Sequence, residues 1–80
     1  MKIVDARTRD FFDRHVVAQI TGKYGIDDLV ALHRFIDSET YQMLTDSQAE
    51  VYILSPNAVF DMWESEQVTG DPRNSQYIRL

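Results

Sequence analysis

The dipeptide Ser55-Pro56 constrains this chain more than any other feature of it. Serine supplies a side-chain oxygen that closes a helix N-terminus, and proline's fixed φ and missing N–H suit the first helical position. The helix they open is expected to run to Thr69, where Gly70 offers a left-handed stop and Pro72 follows. Val59, Phe60, Met62 and Trp63 give this helix a broad apolar face, and Asp61, Glu64 and Glu66 fall on the wet one.

The upstream half is also helical in its periodicity. Phe12, Val16 and Ile20 recur every four residues with Val17 beside them, which predicts a helix over 8–21. Thr8 is its expected cap, Asp10 and Asp13 suit the positive end of its dipole, and Gly22 is its expected C-cap. The turn GKYG, residues 22–25, leads to a second helix with Asp27 and Asp28 in its first turn. There Leu29, Leu32 and Ile36 form a stripe that Phe35 widens. Helix, glycine turn and helix make a helical hairpin or a helix-turn-helix. Asp37-Ser38 reads as a stop and restart: Ser38 caps a short third helix, Glu39 lies in its first turn, and Tyr41 and Leu44 face the core.

The segment TDSQAEVYIL is two-sided. Ser47 and Glu50 match a capping box, whereas Val51, Tyr52, Ile53 and Leu54 favour a strand. A strand would need a partner, for which only the N-terminal KIV and the C-terminal QYIRL offer themselves, so helix or irregular structure is expected. The fold class expected is all-α: a small bundle of about four helices with an N-terminal helical hairpin and a C-terminal helix after Ser55-Pro56. It forms a single domain over residues 1–80, with 70–80 a turn and tail.

A chain of 80 residues buries roughly 60% of the surface that its unfolded form exposes, so its own core is marginal and association would add stability. Without cysteine it has neither disulfides nor thiolate metal sites. A net charge of −5 opposes a phosphate-binding surface, which needs clustered Lys and Arg. No window approaches the ~20 apolar residues that span a bilayer, and MKIVDARTRDFFDR has no apolar run fit for a signal peptide. A cytoplasmic protein is therefore expected.

The constellations that carry chemistry are thin. His33 and Asp37 share a helix face at i, i+4, but a metal needs three or four ligands, and no second histidine pair exists. Glu64 and Glu66, two apart on a helix, point away from each other. Ser38, Ser47 and Ser55 lack a nucleophile's setting and suit helix caps, and the three glycines build no phosphate loop. No catalytic, cofactor or metal residues are expected, and no small-molecule ligand. In the helix-turn-helix alternative, the recognition helix would open on Asp27-Asp28, with Arg34 its one firm cation; that repels phosphate.

The aromatic content is more informative. Four Tyr, four Phe and one Trp exceed what one small core easily hides. Tyr52, Phe60, Trp63 and Tyr77 lie in the C-terminal half, with Met43 and Met62, and such residues are enriched at interfaces. On a helix Val59 and Trp63 share a face, Phe60 lies ~100° to one side and Met62 ~60° to the other. An arc that wide exceeds one core stripe, so Val59, Phe60, Met62 and Trp63 are the expected interface, with Phe60 or Met62 its open flank.

The run YGIDDLVALHRFIDSETYQMLTD followed by YILSPNAVFDMWESE resembles short bacterial proteins grouped as families of unknown function. Those share Tyr-Gly-Ile, a Ser-x-Thr-Tyr-x-Met-Leu-x-Asp run and a later Ser-Pro, matched here by Tyr24, Gly25, Ile26, Ser38, Thr40, Tyr41, Met43, Leu44, Asp46, Ser55 and Pro56. The resemblance covers residues 24–66 and implies a shared helical fold, with no catalytic residue carried over. It also implies an accessory or antitoxin-like role. The function expected is a non-enzymatic interaction module, forming a homodimer or binding another cytoplasmic protein. The alternative is a helix-turn-helix-like nucleic-acid-binding regulator.

Overall fold

A computed structural model describes residues 4–75. Four helices make up most of it: α1 Ala6–Tyr24, α2 Asp28–Ile36, α3 Glu39–Thr45 and α4 Pro56–Thr69. Short 3-10 turns lie at Val51–Ile53 and Pro72–Asn74. The protein is all-α, with no strand among the described residues. Of the two candidate strand partners, KIV lies outside the described residues except for Val4, whose N–H donates to the Thr45 carbonyl at 3.1 Å. QYIRL, with Tyr77, lies wholly outside them.

Each helix begins on a side-chain cap. Ser55 Oγ accepts the Ala58 N–H at 3.2 Å, Pro56 occupies the first helical position, and Gly70 ends α4 at φ 85°. Ser38 Oγ likewise accepts the Tyr41 N–H at 3.0 Å to open α3. These are local signals, and both expected starts are formed.

α1 is longer than expected at both ends. Its cap is Asp5, not Thr8: Asp5 Oδ1 accepts the Thr8 N–H at 3.0 Å. Ala6 and Arg7 favour helix, so the helix starts at the first residue that an upstream cap permits. At the other end Gly22 lies inside the helix, and Gly25 takes the left-handed position at φ 66°. Lys23 and Tyr24 both bind Glu64 on α4, and this tertiary tie carries the helix past Gly22's intrinsic cost.

The expected capping box of Ser47 and Glu50 is not built. Glu50 sits at φ 58°, a left-handed conformation outside any helix, and residues 47–50 form a turn. The reversal buries Val51 and leaves Tyr52 and Ile53 exposed.

The core gathers Phe12, Val16 and Ile20 from α1, Ala31 and Phe35 from α2, Leu44 from α3, Val51, and Val59, Met62 and Trp63 from α4. α4 packs against α1, α3 and the 3-10 turn at Pro72–Asn74, and α2 packs against α1 and α3. The acids of α4, expected on its wet face, tie it to these neighbours. Asp61 accepts the Ser75 hydroxyl at 2.6 Å. Glu64 accepts Lys23 Nζ at 2.6 Å and the Tyr24 hydroxyl. Glu66 accepts the Glu39 N–H at 2.9 Å, and the Thr40 N–H and hydroxyl at 2.9 and 2.7 Å. Glu66 thus satisfies helix-end donors of α3 from another helix, beside the local Ser38 cap.

Candidate protein-interaction surface

The apolar face of α4 is not the open surface its breadth implies. Val59 and Met62 are fully buried and Trp63 is 3% exposed. Only Phe60 is partly open, and it stacks on Trp63 at 6.3 Å while Lys23 Nζ stands 5.8 Å from its ring centre. Val59, Met62 and Trp63 are therefore core, because α1, α3 and the C-terminal turn enclose α4 from several sides and use the whole arc. Val59 and Met62 are closed to solvent, and Trp63 keeps a small exposed edge beside Tyr24, Ile26 and Arg34.

The apolar surface lies on α2 instead. Leu29, Leu32 and Ile36 share one face of this helix at 100° per residue, whereas Ala31 and Phe35 lie about 110° round from it, with Leu32 between the two. The structure turns Ala31 and Phe35 inward, both fully buried. Leu29 is left 66% exposed and Ile36 36% exposed, with Leu32 half-buried. The stripe read from the sequence lies mostly outward, and Phe35, which widens it, is the member that enters the core.

Leu29 and Leu32 of this stripe meet α1 along an open groove of about 520 Å³, whose lining does not include Ile36. Val17, Ala18, Leu29 and Leu32 give it apolar walls, and Asp10, Asp13, Arg14 and Asp28 line its edges. Arg14 pairs with Asp10 at 2.9 Å, and Asp28 accepts the Thr21 hydroxyl at 3.0 Å. Asp13 is half-buried; loss of solvent pushes its carboxyl above the usual aspartate value, and the hydrogen bond from the Tyr41 hydroxyl at 3.4 Å does not offset that. Its Oδ1 is enclosed without a hydrogen-bond partner among the described residues.

A second polar cluster joins Lys23, Tyr24 and Glu64. Burial pushes the Glu64 carboxyl up, but hydrogen bonds from Lys23 and Tyr24 together prevail and hold it below the usual glutamate value. The hydrogen bond to Glu64 raises the Lys23 ammonium in turn. Lys23 and Tyr24 converge on the same Glu64 oxygen at the wall of an open cavity, and the cluster joins α1 to α4.

The His15 ring lies 4.5 Å from that of Phe11, tilted by 51°, and His33 is exposed. Among the described residues no group of three or more His, Cys, Asp or Glu is placed to hold a metal ion, and no helix is long and apolar enough to cross a membrane.

The groove is hidden in the sequence because α2 carries two apolar faces within nine residues, and periodicity does not say which turns inward. The available signal is Ala31: a small residue lets helices approach closely, and its face is the better candidate for packing. No family model, curated protein or solved structure matches the chain.

Proposed function

We propose that this protein is a non-enzymatic interaction module of the cytoplasm, and that the α1–α2 groove is its contact face. One observation carries this reading: the Leu29, Leu32 and Ile36 stripe stands on the outside of a folded domain whose core is already complete without it. Solvent-facing apolar side chains arrayed along one groove are typical of surfaces that gain free energy by being covered. Both a second copy and another protein fit that description, and an antitoxin-like or other accessory role belongs to the second case.

The nucleic-acid alternative has no comparable support. The exposed face of α2 offers leucine and isoleucine with Asp27 and Asp28 at its start, where a recognition helix needs donors and positive charge. Its test is a duplex-binding titration, in which no salt-sensitive complex is expected at physiological ionic strength.

The contact face is tested by placing a photo-crosslinking amino acid at position 29 of the full chain in its native cell, with position 7 as an exposed control on α1. A discrete protein adduct at 29 and none at 7 is expected. Equal labelling at both positions, or none at either, overturns the assignment.

A further inference from the structure

Resting on that reading of the groove, we infer that its occupant is a basic amphipathic helix of another protein. Shape comes first. The groove lies between two helices and is open, and its apolar residues follow helical spacing, which suits a third helix laid against the pair. α2 has nine residues, so the contact spans at most about two and a half turns of such a helix.

Charge selects among helices. Three carboxylates line the groove, exposed at Asp10 and Asp28 and half-buried at Asp13, against a single cation, Arg14, and that cation is already paired with Asp10. A lysine or arginine flanking the apolar stripe of the occupant would find acids along the groove edge. A second copy would not: a two-fold contact through one patch sets Asp10, Asp13 and Asp28 against the same acids of the other molecule. Like charges across a contact cost affinity, so the edge disfavours self-association while favouring a basic partner. Of the exposed large apolar residues only Leu29 lines this groove; the two most exposed others, Ile53 and Val68, lie outside it.

The test uses the full chain and two synthetic peptides of roughly 18 residues, one of leucine and lysine with the leucines on one helical face, the other with glutamate replacing every lysine. Methyl chemical shifts report where they bind. The lysine peptide is expected to shift Val17, Leu29 and Leu32 and to weaken as salt rises, while the glutamate peptide leaves them unmoved. Leu29→Ala is expected to weaken the lysine peptide by roughly tenfold. Asp28→Asn should weaken it severalfold, and Arg14→Gln, which frees Asp10, should strengthen it. Circular dichroism on each variant separates these effects from unfolding.

The ways of failing are distinct. If the groove methyls respond to the glutamate peptide or to self-association at high concentration, the basic occupant is wrong and the contact face stands. If the lysine peptide shifts Ile53 or Val68 instead, its attraction is unspecific and the groove has no claim to it. If nothing moves the groove methyls and position 29 crosslinks to nothing, both readings fall.

Discussion

Glu66 holds the start of α3 from across the fold, and its removal has a distinct signature. Its two oxygens accept two backbone N–H groups and one hydroxyl. Glu66→Ala leaves the Thr40 hydroxyl, in a fully buried residue, without this acceptor. The expected loss is about 2–3 kcal/mol in urea denaturation, with faster amide exchange at Glu39 and Thr40 than in the rest of the fold. Asp13 runs the other way. Its folded carboxyl holds a proton more tightly than the unfolded chain does, so stability falls as pH rises through the interval between the ordinary aspartate value and the raised one. Asp13→Asn is therefore expected to be more stable than the parent at neutral pH, with the difference vanishing in acid where both states are protonated. Thermal melts at the two pH values check this. Neither role could be read from the sequence. Ser38 and Ser55 cap donors three residues away and were legible, whereas Glu66 acts on residues 26 and 27 positions upstream, and Asp13's burial depends on α2 and α3.

α2 is the element on which sequence and structure part. Its stripe was visible, but its orientation was not, because two apolar faces competed for one core. Paired substitutions separate the faces. Leu29→Ala is expected to change stability by under about 0.5 kcal/mol, while Phe35→Ala costs about 3–5 kcal/mol. Equal losses in chemical denaturation would place Leu29 inside. α4 shows the converse: its limits followed from Ser55, Pro56 and Gly70, yet most of its wide apolar arc reflected a central position, with Phe60 alone of the four partly open. The number of neighbours around a helix is a tertiary property, and a hydrophobic arc alone fits either a surrounded helix or an unpartnered one.

At the scale of the molecule, the shortest dimension is 19 Å, about two helix diameters. A body so thin leaves most helices with a face toward solvent, and α2 spends an apolar one there. α4 gathers the rest: its apolar arc fills the core, and its three acids fasten α1, α3 and Ser75. That arrangement sets an order in time. Synthesis delivers α1, α2 and α3 well before α4, so a nascent chain ending near Leu54 has the hairpin but lacks Val59, Met62, Trp63 and Glu66 on which it closes. Ribosome-bound chains carrying a C-terminal linker long enough to fill the exit tunnel are expected to remain protease-sensitive until residues through Thr69 have emerged, and then to become resistant together. Stalling at successive lengths with brief proteolysis measures this, and early protection of α1 and α2 alone would show that the hairpin does not wait. α4 thus sets when α1, α2 and α3 stop searching, and until it emerges their apolar faces stay open to other chains.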